Sequence, residues 1–119
     1  MANLLTRGKI FLVPFPFDDL SATKLRPAVC LTEPIGVNHH IVVAFITSRD
    51  VLDLLPTDIA LPTSHSDFPA TGLRVSSVLR LHRLMTLSTK IIQRELGRLS
   101  TALEQEVAGK LGVLFGLRK

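Results

Sequence analysis

Arginines and hydroxyls at the ends of apolar runs are the residues of this chain whose types and spacing could do chemistry. Arg26 stands where the polar, acidic stretch Asp18-Asp19-Leu20-Ser21-Ala22-Thr23 passes through Lys24-Leu25 into apolar Ala28-Val29-Cys30-Leu31. Pro27 behind it keeps its backbone extended. Thr47 and Ser48 follow the apolar run 41–46, a place where a rigid scaffold hands residues to a loop. Arg74, Ser76, Val78, Arg80 and His82 alternate along 73–82 and so share one face of a strand. Such a set suits a phosphodiester. Arginines stabilise the charge that builds on phosphorus, a hydroxyl donates to a non-bridging oxygen, and an imidazole or carboxylate moves protons. Cleavage of RNA through its own 2′-hydroxyl needs those parts and no metal.

Each of these residues also has an ordinary structural role open to it. Arg26 can pair with Asp18 or Asp19 as a loop ion pair, and Thr47 can serve as a turn residue at a strand end. Arg80 suits a solvated face, and His82 a structural or surface histidine. The neighbours His39 and His40 would point to opposite faces of a strand, which favours a surface turn over a metal clip. The chain has no CxxC, HExxH, GxSxG or glycine-rich phosphate loop. Neither a metal nor a cofactor is expected.

The elements that must position these side chains follow from length and patterning. A chain of 119 residues, 46% apolar and 20% charged, reads as one globular domain over 1–119. The mean hydropathy of +0.35 is high, yet no apolar run approaches the roughly 18 residues of a membrane helix. The excess is assigned to a subunit interface, and a homodimer without membrane contact is expected. A net charge of +4 and a pI near 9.8, with most of the bases arginine, suit a polyanionic partner. The single Cys30, inside an apolar strand, excludes a disulfide framework and fits a reducing cytosol. With no signal pattern at the N-terminus, the protein is expected in the cytoplasm.

Strands are predicted over 9–13, 28–31, 41–46, 58–61 and 73–82. Pro14 and Pro16 weaken pairing after the first, and Pro56 and Pro62 make the fourth an edge. A surface loop covers 63–72. The period then changes: a short helix is expected over 88–96, capped by Ser88 and stopped by Gly97. A second opens on the capping box Thr101–Glu104 and carries the stripe Leu103, Val107, Leu111 and Leu114, ending near 114–116. Five or so strands with a terminal helix predict a mainly β fold, a small and strongly curved barrel-like sheet.

Gly8-Lys9-Ile10-Phe11-Leu12-Val13-Pro14-Phe15, then Leu25-Arg26-Pro27-Ala28, then Ile46-Thr47-Ser48-Arg49, resemble the PemK/MazF family of toxin endoribonucleases. Ser77-Val78-Leu79-Arg80 and Gly97-Arg98-Leu99-Ser100 extend the likeness along nearly the whole chain. The resemblance implies an SH3-like barrel of curved antiparallel sheet with a C-terminal helix, paired as a homodimer. It implies metal-free cleavage of single-stranded RNA, chiefly mRNA, and a cognate antitoxin protein that blocks the RNA groove. By position, Arg26 matches the arginine that stabilises the scissile phosphate and is proposed as acid or base. Thr47 matches the threonine that hydrogen-bonds that phosphate, and Arg80 an arginine that some members use. His82 stands where some members carry an aspartate proposed as general base, and an imidazole can take that proton near neutral pH. Phe17, Lys24, Ser48 and Arg49 are the expected RNA contacts, Phe17 as a base platform with Phe15 and Phe68 as alternatives. Two other roles fit such a fold. CcdB-like gyrase-binding toxins depend on a C-terminal tryptophan, which this chain lacks. An inactive relative would only bind RNA or its antitoxin.

Overall fold

The computed structural model describes residues 6–15 and 24–118. Six strands form one antiparallel sheet: β1 (Lys9–Phe15), β2 (Lys24–Cys30), β3 (His40–Thr47), β4 (Asp58–Leu61), β5 (Ser77–Ser88) and β6 (Arg94–Arg98). Their order is β4-β5-β3-β2-β1-β6, and the sheet curls into a half-barrel. A one-turn helix α1 (Phe68–Thr71) precedes β5, and α2 (Thr101–Leu114) ends the fold. Among the described residues, no helix is long and apolar enough to cross a membrane.

The central strands read as unbroken apolar runs because both sheet faces are covered. On one face Ile10, Val29, Ala44, Ile46, Leu79 and Leu81 pack with Leu103 and Val107 of α2. On the other, Phe11, Val13, Ala28, Cys30, Val43, Phe45 and Leu87 form a second cluster. Register makes this division: Ile10 faces Val29, which faces Ala44, while Phe11 faces Ala28, which faces Phe45.

The prolines fall where a strand lacks its second neighbour. Pairing of β6 with β1 stops at Leu12↔Arg94, so Pro14 lies beyond it, as the sequence predicts. Pro27 lies just before β2 begins to pair with β3 at Ala28. The ends of β1 and β2 therefore run on as a two-stranded ribbon, Val13↔Arg26 to Phe15↔Lys24. β4 is an edge strand, also as expected.

Several expectations need correction. The helix predicted over 88–96 is instead a 3-10 turn, Thr89–Ile91, followed by β6. Ser88 does cap, its hydroxyl accepting from the Lys90 N–H at 3.2 Å, but only that single turn. β1 has a bare edge along Lys9–Leu12, and filling it with Arg94–Arg98 outweighs local helical spacing. Gly97 is thus no helix stop. It sits in β6 against α1, where a Cβ would overlap the backbone of Ala70 and Thr71. The strand predicted over 73–82 begins later and runs to Ser88. The loop 63–72 contains α1, whose Phe68 and Thr71 are buried. The last helix is capped by Ser100 rather than Thr101: its Oγ accepts from the Leu103 N–H at 3.1 Å and donates to Asp67 at 2.7 Å. The predicted stripe holds, with Leu103 and Val107 buried and Leu111 and Leu114 packed at its margin.

Cys30 is fully buried, and desolvation pushes its thiol pKa up; Sγ–H donates to the Thr32 carbonyl at 3.1 Å. A folded pKa above the unfolded one means stability that is present below the unfolded value and lost as pH rises through the folded one. The fall in melting temperature between pH 8 and pH 10 should therefore be smaller in Cys30→Ala than in the wild type. Gly97→Ala should cost about 1–3 kcal/mol through overpacking against α1. By contrast Gly109→Ala, in α2 with nothing within 4 Å of its Cβ, should gain about 0.5–1 kcal/mol. Chemical denaturation of the two variants checks both signs.

Candidate functional site

The β1–β2 ribbon, the end of β3 and the middle of β5 enclose a cavity of about 280 Å³. Phe15 and Phe45 floor it edge to face, ring centroids 4.9 Å apart, with Ile46 and Val51 beside them. Four arginines, Arg26, Arg49, Arg80 and Arg83, line it together with Thr47. No carboxylate or imidazole is among the described residues that line it. The Arg26 guanidinium carbon lies 5.5 Å from the Phe15 ring centroid and that of Arg83 lies 5.8 Å from it. One aromatic ring thus helps to hold two cations, each contact worth roughly 0.5–2 kcal/mol as it is desolvated.

A break in strand regularity brings the β5 arginines together. Ala44 pairs with Leu84 and Ile46 with Leu79, so β5 carries extra residues across that step of β3. Such a bulge bends the strand and re-aims its side chains. Arg80 and Arg83 have opposite parity, yet both line the cavity. Arg80 is further held by the β4 residue directly opposite it in register, Asp58. Its Nε donates to Asp58 Oδ1 and its Nη2 to Oδ2, both at 3.2 Å. Asp58 itself is 4% exposed.

Thr47 Oγ1 accepts from the Arg49 backbone N–H at 3.1 Å. That bond fixes the oxygen at the strand end and leaves the hydroxyl hydrogen to donate to an anion. Of the predicted set, Arg26, Thr47, Arg49 and Arg80 come together around the cavity. Lys24 is exposed at the entry of β2 and Ser48 is exposed beyond β3; neither lines it. Phe17 and the acidic pair Asp18-Asp19 lie outside the described residues. His82 does not join the lining set. It is exposed and outside the cavity, because the β5 bulge turns Arg83, rather than His82, to the side of Arg80. Sequence reasoning missed Arg83, Phe45 as part of the floor, and Asp58. Strict alternation hides Arg83, and no local signal ties Asp58 to a residue 22 positions away.

This geometry, several guanidinium groups and a hydroxyl over an aromatic floor, is suited to hold a phosphate with a base or sugar beside it. No curated protein matches the chain. Solved structures do. An endoribonuclease in complex with its cognate antitoxin from a mycobacterial species superposes with a TM-score of 0.71 at 17% identity, covering 95% of this chain and 96% of that one. The Mycobacterium tuberculosis toxin MazF-mt6 gives 0.70 at 23% identity, over 93% and 99%. A MazE–MazF structure from Deinococcus radiodurans gives 0.70 at 23%, over 99% and 100%. A family model described as PemK-like, MazF-like toxin of type II toxin–antitoxin system matches residues 6–115. With the match running from β1 through α2, the chain belongs to the PemK-like, MazF-like toxins of type II toxin–antitoxin systems.

Proposed function

We propose that this toxin is an endoribonuclease that cuts single-stranded RNA without a metal ion. The observation that carries the reading is the convergence of Arg26, Arg80 and Arg83 with the Thr47 hydroxyl on one cavity. In the reaction the 2′-oxygen attacks the adjacent phosphorus, a P–O2′ bond forms and the P–O5′ bond breaks. The products are a 2′,3′-cyclic phosphate and a free 5′-hydroxyl. Negative charge grows on the phosphorus oxygens as the attack proceeds. With no base among the described lining residues, this step is accelerated chiefly through preorganised donors aimed at that charge. Arg26 and Arg83 clamp the phosphate, Arg80 donates beside Arg83 from β5, and Thr47 donates its hydroxyl hydrogen. Neutral guanidine is a weaker base than an alkoxide, so the Arg26 guanidinium can also hand a proton to the departing 5′-oxygen. The proton released from the 2′-hydroxyl restores it through solvent. The Phe15–Phe45 floor gives an unstacked base a surface beside the phosphate.

The partners that go with this reading are a second copy of the chain and a protein antitoxin that covers the cationic cavity. The basic lining and the family's two-component nature support the antitoxin. The exposed Val113, Phe115 and Leu117 at the C-terminal end supply apolar surface for protein contacts.

The test is incubation of the purified protein with a long single-stranded RNA in excess EDTA. Discrete fragments ending in 2′,3′-cyclic phosphate and 5′-hydroxyl are expected. Arg26→Ala should slow cleavage about 10²–10³-fold, the usual cost of losing one oxyanion donor. His82→Ala should cut at close to the wild-type rate. Intact RNA with the wild type, or undiminished cleavage by Arg26→Ala, defeats the reading.

A further inference from the structure

Asp58 is the one fully buried carboxylate among the described residues, its side chain at 0% exposure, and it takes no part in the chemistry above. A carboxylate beside a phosphate-binding cavity is unfavourable unless it serves the cations there. Asp58 is held on every side. Its Oδ2 accepts from the Leu55 N–H at 2.9 Å, and its own N–H donates to the Leu55 carbonyl at 2.9 Å, closing the turn that enters β4. Its carbonyl accepts from Lys110 Nζ of α2 at 2.8 Å. Both carboxylate oxygens then fork onto Arg80 across the β4–β5 pair. The fork engages Nε and Nη2, which fixes the guanidinium plane and leaves the Nη1 edge for a ligand.

We propose that Asp58 is a positioning residue for RNA cleavage: it holds the Arg80 guanidinium in the orientation in which Nη1 meets the scissile phosphate. The inference rests on the endoribonuclease reading and deepens it. Asp58 touches no substrate and acts only through Arg80. Its negative charge is spent inside the wall, where it neither faces the cavity nor lies among its lining residues.

A positioning role and a purely electrostatic one differ in sign. Removing a negative charge near an anion site tightens ground-state binding, whereas loosening Arg80 lowers the rate of the chemical step. Asp58→Asn keeps the volume and an acceptor for the Leu55 N–H. It should lower kcat about tenfold to a hundredfold, the scale of a small misplacement, with KM unchanged or lower. Adding Arg80→Gln should restore the melting temperature by removing both charges and should leave kcat as low as before. In ¹H–¹⁵N spectra the Arg80 Nε–H should give a separate, slowly exchanging peak that Asp58→Asn abolishes. Wild-type kcat in Asp58→Asn overturns the proposal, and so does recovery of kcat together with stability in the double variant, which would leave a structural ion pair only. If the wild type leaves RNA intact, the endoribonuclease reading itself has failed. The spectra still decide the rest: an Arg80 peak unmoved by Asp58→Asn removes the positioning role.

Discussion

Gathering guanidinium groups around one small cavity is the constraint on which the rest of the structure depends. Each close pair of like charges costs on the order of a few kcal/mol near a protein surface. The fold offsets that cost in two ways. The Phe15 ring lies close to Arg26 and Arg83, and its electron-rich face attracts such cations. Asp58, which is not among the cavity's lining residues, pairs with Arg80 through both carboxylate oxygens. Neither device puts a carboxylate into the cavity. Among the described residues the charged groups of the lining are therefore all positive, while their support comes from within the wall.

The sheet is shaped to make this possible. A regular six-stranded antiparallel sheet would present side chains from β5 at every second position, and Arg80 and Arg83 would be on opposite faces. The extra residues of β5 opposite the end of β3 change that parity at one place. The same region is where β1 and β2 lose their outer neighbours, because Pro14 and Pro27 cannot donate to a ladder. Irregular pairing and missing partners thus meet at one corner. The regular part, with apolar clusters on both faces, anchors it.

Much of this is legible in the sequence, and the failures have identifiable causes. Apolar runs bounded by prolines locate β1, β3 and β4, and the stripe from Leu103 to Leu114 locates α2. Arg26 and Thr47 are legible because each borders such a run. β6 is not, since residues 88–96 have helical spacing and only the bare edge of β1 makes them extended. The face shared by Arg80 and His82 follows from strict alternation, and a bulge overrides alternation without leaving a mark in composition. Asp58 shows in the sequence only as part of an edge strand. Its role depends on register with a strand twenty-odd residues later, and single-sequence patterns carry no register between distant strands.

The cations of the site differ in exposure. Arg49, at the cavity, is exposed, so salt screens its field strongly. Arg26, Arg80 and Arg83 are half-buried, and their fields are screened far less. The inner three are fixed against Phe15 and Asp58, and under the proposed endoribonuclease reading such fixed planes favour a phosphate presented at one angle. On that reading, discrimination between a bound phosphate and a reacting one follows from rigidity, which net charge alone cannot provide.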